Sequence, residues 1–163
     1  MWPVLKASIF TVVVPGTVTV VIPYRILSSS TGFSFGTLQL FGLLPIVFGA
    51  IVYFWCLWDF TFTGRGTPAP VDPPKVLVAR GLYRTARNPM YLGVLSILLG
   101  EIIVFNSWAL LRYALAFGLG FHLFVVYYEE PTLKKKFGVA YEEYCRAVPR
   151  WIPRLSRARS TSG

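Results

Sequence analysis

The chain has 163 residues, of which 55% are hydrophobic, 17% aromatic and only 14% charged. Soluble domains carry roughly 25% charged residues, so this composition excludes an ordinary soluble domain and indicates a membrane protein. At about 20 residues per crossing, the chain can supply roughly four transmembrane helices and their connections. We therefore expect an all-α integral membrane protein that forms a single domain over residues 1–163.

The placement of the basic residues predicts how the chain crosses the membrane. The net charge of +9 could indicate a nucleic-acid partner. If four apolar runs each cross the membrane, however, only Arg25 and Arg112 lie on one side, and the other basic residues share the opposite side. By the positive-inside rule this favours a multi-pass protein with both termini in the cytoplasm and no nucleic-acid partner. The four runs are residues 7–24, 38–58, 90–105 and 107–128.

Residues 1–60 predict two N-terminal spans joined by a polar loop at residues 28–32. The first run is interpreted as a retained span, because no small-x-small cleavage pattern closes it as in a signal peptide. Pro15, Pro23 and Pro45 are tolerated in or beside membrane helices, where neighbouring helices satisfy the freed carbonyl groups. These two spans contain no candidate catalytic residue.

Residues 64–74 form a connector rich in glycine and proline. Proline fixes its own backbone angle and biases the preceding residue toward extended conformations, so this connector is stiff rather than floppy. Two interpretations stay open: it links the spans, or it packs over the membrane face as part of a site.

Glu101 and His122 interrupt the third and fourth apolar runs. A carboxylate at the middle of a membrane helix costs about 2.5–3.5 kcal/mol, so Glu101 should face the bundle interior, be paired or be protonated. Its role is left open between structure and function. His122 can hydrogen-bond a neighbouring helix, and the chain has no second histidine to build a metal site, so we expect no metal. Cys56 and Cys145 are expected to be unpaired thiols.

The segment after the fourth run predicts a basic amphipathic helix on the inner leaflet of the membrane. Its apolar residues recur at helical spacing, with lysines and glutamates on the opposite face. Residues 148–153 would close this helix and place Trp151 at the level of the lipid headgroups. Residues 156–163 form a short polar tail that is expected to be disordered. The apolar stripe consists of Leu133, Phe137, Tyr141 and Tyr144.

Two polar clusters adjoin the ends of the last two spans. One is residues 81–93 at the start of the third run, and the other is Glu129 with Glu130 at the end of the fourth. They meet in space if those helices are antiparallel neighbours. An arginine and backbone amides at a helix start suit a carboxylate, and a carboxylate pair suits an ammonium and a sulfonium, so the clusters complement a zwitterionic cofactor. Taken alone, they are explained more simply by positive-inside arginines, a helix cap at Pro89 and two solvated glutamates.

The order and spacing of these motifs resemble the membrane methyltransferase superfamily, which includes isoprenylcysteine carboxyl methyltransferases and phospholipid N-methyltransferases. That family's signature is Gly-x-Tyr, then Arg-His/Asn-Pro-x-Tyr-x-Gly, then Glu-Glu-x-x-Leu-x-x-x-Phe-Gly-x-x-Tyr-x-x-Tyr, and finally Val-Pro-x-x-x-Pro. The resemblance covers roughly residues 64–153, which it identifies as the cofactor-binding region. The matching segments are residues 81–83, 87–93, 129–144 and 148–153.

The resemblance implies S-adenosylmethionine as cofactor. Residues 76–78 would line its pocket through backbone and apolar contacts, residues 88–91 would hold its amino-acid end and adenosine, and Glu129 would bind its ammonium. For an amine acceptor, Glu130 or Glu101 could act as the catalytic group that accepts the proton. The cofactor-binding residues implied are Val76, Leu77, Val78, Tyr83, Arg87, Asn88, Pro89, Met90, Tyr91 and Glu129.

Two residues depart from the family pattern. Asn88 stands where many members have histidine. Val125 stands four residues before Glu129, where isoprenylcysteine enzymes place an arginine that they use for substrate. Valine cannot donate a forked, charged hydrogen bond to a carboxylate, which argues against a prenylcysteine acceptor. The expected acceptor is another lipophilic molecule, such as an amine-bearing lipid or an isoprenoid-like small molecule.

Two other classes of protein were considered. A non-catalytic small membrane protein that binds anionic lipid or a partner through its basic tail would need residues 134–136, but it would not need Asn88 or Glu129. An electron-carrying subunit is disfavoured, because one histidine cannot provide bis-histidine haem ligation and no flavin or nicotinamide motif is present. The sequence contains no pattern that indicates an oligomeric state.

Overall fold

The computed structural model of the chain describes residues 2–28, 36–64 and 76–154. These described residues are helical, with connecting turns and no strand, which confirms the prediction of an all-α protein. Most of the connector predicted over residues 64–74, and the whole polar tail predicted over residues 156–163, lie outside the described residues.

Membrane-spanning helices account for most of the described chain. Three segments are long and apolar enough to cross a membrane, and a shorter apolar helix accompanies them. That helix has 17 residues and a length of about 25 Å, at the lower limit for a crossing. The integral membrane class and about four crossings are confirmed. The three segments are Ser8–Ser28, Thr37–Phe62 and Trp108–Phe137, and the shorter helix is Pro89–Phe105.

Wide or tight turns interrupt and join the α-helices. A π-helical turn connects α1 to α2, a second follows α4, and a third connects α6 to α7. The α-helices are α1 Trp2–Gly16, α2 Ile22–Ser28, α3 Thr37–Leu40, α4 Leu43–Asp59, α5 Pro89–Phe105, α6 Trp108–Phe124, α7 Glu130–Phe137 and α8 Val139–Ala147. The π-helical turns are Thr17–Val21, Phe60–Gly64 and Val125–Glu129, and Gly81–Arg84 forms a 3-10 turn.

Two of the π-helical turns end two residues before a proline. Thr17–Val21 precedes Pro23, and Val125–Glu129 precedes Pro131. A proline within a helix lacks an N–H group, and its ring clashes with the carbonyl group four residues earlier. A widened turn relieves that clash without ending the helix. Glu129 is the last residue of the second of these turns.

Glycines allow α4 and α5 to pack with their backbones in contact. Gly42 faces Gly100, and Gly49 faces Gly93. A Cβ atom added to Gly42 would lie 2.6 Å from the Gly100 carbonyl oxygen, which leaves no room for a side chain. Such close packing of small residues is a main source of helix association in membranes. The pairing fixes α5, which carries one of the two polar clusters.

A two-residue turn joins α5 to α6. Asn106 has a φ of 45°, in the left-handed region that asparagine tolerates better than most residues. The Ser107 side chain accepts a hydrogen bond from the Leu110 amide at 3.4 Å and caps α6. The two helices are therefore antiparallel neighbours, and the start of α5 lies beside the end of α6.

A buried carboxylate holds the 3-10 turn against the end of α4. Asp59 is 3% exposed, and its Oδ1 lies 3.2 Å from the Arg80 Nε. Gly81 has a φ of +54°, and a Cβ atom there would collide with the Asp59 carboxylate, so glycine is required for conformation and for space. The arrangement presents Val78 and Tyr83, both buried, to the interior of the bundle.

The amphipathic stripe predicted from Leu133 to Tyr144 lies on two helices rather than on one. Gly138 has a φ of +54° and separates α7 from α8, because an α-helix cannot continue through that backbone conformation. The α7 helix continues the last membrane-spanning segment. The separate C-terminal amphipathic helix predicted from the sequence is therefore α8 alone.

Residues 148–154, which we name the C-terminal strap, return from α8 to the start of α5. The Arg87 amide donates to the Pro149 carbonyl oxygen at 2.9 Å, and the Arg154 amide donates to the Thr85 carbonyl oxygen at 3.0 Å. Trp151 Nε1 donates to His122 Nδ1 at 3.1 Å. The strap thus ties three parts of the chain together at one end of the bundle. His122 has a structural hydrogen bond, but its partner is Trp151 of the strap rather than the neighbouring helix that was expected.

Candidate active site

The two polar clusters meet at a cavity, which we name the site cavity. Its empty volume is about 1000 Å³, part of which is open to the outside. Most residues predicted to bind a cofactor contribute to its wall. They are Leu77, Val78, Tyr83, Arg87, Asn88, Met90, Tyr91 and Glu129, joined by Glu130.

Glu129 lies in the wall of the site cavity with little to balance its charge. The Tyr91 hydroxyl donates to Glu129 Oε2 at 2.9 Å. Among the side chains that the structure describes, no lysine or arginine forms an ion pair with Glu129. A carboxylate held by one neutral donor in the wall of a largely apolar cavity attracts a cationic ligand.

Glu130, the next residue, is surrounded by arginines. Arg150 Nε and Nη2 donate to its two carboxylate oxygens at 2.7 and 2.9 Å. Arg87 Nη1 lies 3.0 Å from Glu130 Oε1. The bidentate geometry is the strongest form of carboxylate recognition by arginine, and the interaction raises the pKa of Arg150 above its ordinary value. Glu130 therefore anchors the C-terminal strap in this structure.

Among the described residues, Arg87 does not use all of its hydrogen-bond donors. Its Nη1 donates to the Cys145 sulfur at 2.8 Å and also contacts Glu130. Its Nε is buried and has no hydrogen-bond partner among the described residues. A buried donor without a partner is costly, so one more acceptor, such as a carboxylate, would stabilise Arg87.

The start of α5 supplies backbone donors to the same region. Pro89 is the first residue of the helix and is buried. The amides of Met90 and Tyr91 are in the first turn, where helix N–H groups lack partners in the preceding turn and carry partial positive charge. The Asn88 side chain donates to the Arg150 carbonyl oxygen at 3.2 Å, so it fixes the strap above the helix start.

Tyr83 and Tyr144 also line the site cavity. The Tyr144 hydroxyl donates to the Tyr83 carbonyl oxygen at 2.7 Å. The Tyr83 ring lies 5.4 Å, centroid to centroid, from the ring of Phe60. Burial raises the pKa of Tyr83 well above its ordinary value, and burial likewise raises that of Tyr144. Both hydroxyl groups therefore remain protonated at neutral pH and cannot act as bases there.

Three predicted site residues do not line the cavity. Val76 precedes its lining residues and is 50% exposed, and Pro89 is buried at the helix start without contributing to the wall. Glu101 lies twelve residues beyond Pro89 on α5, about 18 Å further along the helix. The structure therefore separates Glu101 from Glu130, and these two candidate catalytic groups do not share a site.

Several cavity residues were not recognised in the sequence. Phe10 comes from α1 and Phe60 from the end of α4, and their place in the wall depends on helix packing that no local pattern specifies. Tyr141, Tyr144 and Leu133 were assigned to an apolar stripe, although they belong to the quoted motif. Their position within that motif was the available signal.

Comparisons with known proteins identify a family. A family model described as phospholipid methyltransferase matches residues 38–140, which is more than half of the 163 residues. The matched region runs from α3 into α8 and includes both polar clusters, whereas the C-terminal strap lies beyond it. Searches of curated proteins and of solved structures found no match. The chain belongs to the phospholipid methyltransferase family, a family of membrane methyltransferases.

Proposed function

We propose that this protein transfers a methyl group from S-adenosylmethionine to a lipophilic acceptor at the membrane face. The observation that carries the proposal is the environment of Glu129. Its carboxylate lies in the wall of a cavity of about 1000 Å³, and its one hydrogen bond among the described residues comes from the neutral Tyr91 hydroxyl. A ligand that carries an ammonium and a sulfonium would balance this charge.

The residues of the site cavity fit the remaining parts of that cofactor. The amides at the start of α5 and the unsatisfied Nε of Arg87 suit the cofactor's carboxylate. The buried side chains of Val78 and Tyr83 offer an apolar surface and an aromatic ring to its adenosine. In this proposal Asn88 and the C-terminal strap hold the start of α5 in place.

Catalysis in this site depends mainly on positioning. When bound, the cofactor supplies an electrophilic methyl group on a sulfonium, which is already a good leaving group. The protein needs to hold the acceptor in line with that methyl group and to exclude water, and such positioning can contribute about 7–11 kcal/mol. The enclosed wall formed by Tyr83, Met90 and Tyr91 serves both purposes.

The structure favours an anchoring role for Glu130 over a catalytic one. Both of its oxygens accept hydrogen bonds from guanidinium groups, so proton acceptance would break an ion pair. Glu101 is remote from the cavity, and the proposed mechanism does not involve it. An amine acceptor would therefore enter the site in its neutral form, which needs no base at the moment of attack.

We infer that the acceptor is a lipid or a similarly lipophilic molecule. Family membership implies lipid substrates and membrane association. Val125 lines the site cavity and is fully buried, and it offers no charged group to a prenylcysteine carboxylate. Transfer of labelled methyl to a farnesylated cysteine analogue, in preference to extracted lipids, would contradict this inference.

Both termini are proposed to face the cytoplasm, which places the site cavity at the cytoplasmic membrane face. The support is the placement of the basic residues, since only Arg25 and Arg112 fall on the opposite side of a four-span topology. The alternative of a non-catalytic protein that binds lipid through its basic tail is not favoured by the family match.

The proposal is tested by calorimetry on detergent-solubilised protein with S-adenosylmethionine and its demethylated product. Glu129→Gln removes the charge with little change in shape and should weaken binding roughly ten- to a hundredfold, since hydrogen bonds to charged groups contribute about 1.5–3 kcal/mol. Glu143→Gln, at an exposed position of α8, is the matched control and should bind like the parent. Absence of binding to the parent, or equal affinity of Glu129→Gln and the parent, contradicts the proposal.

A further inference from the structure

A second cavity lies within the membrane-spanning part of the bundle, and we name it the apolar cavity. Its empty volume is about 720 Å³, part of which is open to the outside. Residues from α1, α4, α5 and α6 line it, among them Val14, Tyr53, Val94 and Phe117. None of its described lining residues is charged, so a hydrocarbon is the kind of ligand that this cavity accommodates.

The apolar cavity and the site cavity are neighbours. Phe10, Met90, Tyr91 and Phe124 line both of them. The hydroxyl of Tyr91 donates to Glu129 in the site cavity, whereas its ring lies 4.4 Å, centroid to centroid, from the ring of Phe121 in the apolar cavity. A molecule in the apolar cavity can therefore present its end to the site cavity at Tyr91.

The hydroxyl groups of the neighbouring tyrosines have partners of their own. The Tyr113 hydroxyl donates to the carbonyl oxygen of Val18, which lines the apolar cavity. The Tyr53 hydroxyl is hydrogen-bonded to the Thr11 hydroxyl at 3.0 Å. The first contact ties the π-helical turn after α1 to α6, and the second ties α1 to α4. Because both hydroxyl groups are hydrogen-bonded, these tyrosines offer aromatic rings rather than free hydroxyl groups to a ligand.

The length of the apolar cavity limits how much of a long hydrocarbon chain it can hold. On the α1 side its lining extends from Phe10 to Val18, a rise of about 12 Å over eight residues. The hydrocarbon core of a bilayer is about 30 Å thick. A long chain would therefore fill the cavity with the part next to its polar end and leave its remainder in the bilayer.

We propose that the apolar cavity binds one hydrocarbon chain of the methyl acceptor and directs the acceptor's polar end to Tyr91 and Glu129. This inference rests on the proposed methyl transfer and deepens it, because it assigns the part of the structure that holds the acceptor's hydrocarbon chain. A chain that moves from the bilayer into the cavity leaves one apolar environment for another. The cavity therefore acts mainly by positioning the acceptor rather than by adding affinity.

The test uses two adjacent valines of α1. Val14 lines the apolar cavity, whereas Val13 is 58% exposed and does not line it. Val14→Phe should occlude the cavity, and Val13→Phe adds the same bulk to the outer surface as a matched control. Val18→Phe is a second occluding variant in case Val14→Phe impairs folding. The probe is hexadecylamine with a photoreactive diazirine at the middle of its chain, applied to the protein in lipid nanodiscs.

Photolabelled positions are mapped by mass spectrometry. In the parent and in Val13→Phe we expect labelling around Val94 and Phe117, and in the occluding variants at least a tenfold loss. Binding of the demethylated cofactor product serves as a folding check and should be unchanged in both variant types. Labelling that is insensitive to both occluding variants, or is confined to exposed positions such as Leu115, overturns the inference. Occlusion-sensitive labelling in a protein that binds no cofactor would instead refute the proposed methyl transfer.

Discussion

Replacement of Glu130 by glutamine tests whether its carboxylate anchors the C-terminal strap. The side chain is 18% exposed, and it pairs with Arg150 and with Arg87, whose side chain is 12% exposed. Glutamine cannot balance two guanidinium charges, and breaking a buried ion pair by removing one partner costs about 3–5 kcal/mol. Because Arg150 is one-third exposed, we expect a loss near the lower limit, about 3 kcal/mol.

The assay is thermal unfolding of the detergent-solubilised protein, in which such a loss should lower the apparent Tm by roughly 6–12 °C. Glu142→Gln is the matched control, because it removes the same charge from a solvent-exposed pair with Lys134 at 2.8 Å. Exposed pairs contribute little, so the control should unfold at the parent temperature. Equal shifts for Glu130→Gln and Glu142→Gln would refute the anchoring role.

Three further predictions concern packing, topology and pH. Gly49→Ala should destabilise the protein in thermal unfolding, because the added Cβ would collide with the backbone of α5. Gly120→Ala should not, because the space around Gly120 is open. Equal effects of the two substitutions would contradict the close packing of α4 and α5. Tags at Ser30 and Ser162 should be accessible from opposite sides of the membrane, and accessibility from the same side would exclude the topology. Burial raises the pKa of Tyr144 above its ordinary value near 10, so above about pH 10 the unfolded chain loses protons first and stability falls. Tyr144→Phe should lessen that fall in alkaline unfolding, and an unchanged pH profile would contradict the burial argument.

The fold class followed from the sequence because membrane proteins must satisfy their backbone hydrogen bonds within helices. Helix ends were harder to predict. The break at Gly138 depends on a positive φ that composition does not reveal, and the pairing of Gly42 with Gly100 depends on the relative height of two helices. The structural role of Asp59 was not predicted, because it depends on an ion pair with Arg80, which follows the connector in the chain.

The composition of the candidate site was partly predictable for a different reason. Tyr91 and Glu129 lie in motifs at the ends of neighbouring spans, and their hydrogen bond follows once α5 and α6 are antiparallel. The sequence could not distinguish the neighbouring glutamates, because Glu130 is paired with Arg150 of the strap, twenty positions away. Phe10 could not be assigned to the site, since nothing local to α1 specifies which face meets α5 and α6.

Methyl transfer itself is the most direct test of the account. Purified protein in nanodiscs is incubated with S-adenosylmethionine labelled on its methyl group and with extracted membrane lipids, and the label is followed into the lipid fraction. The account predicts incorporation by the parent and by Glu143→Gln, and roughly ten- to a hundredfold less by Glu129→Gln at limiting cofactor. No incorporation by the parent, or equal incorporation by Glu129→Gln, would contradict it.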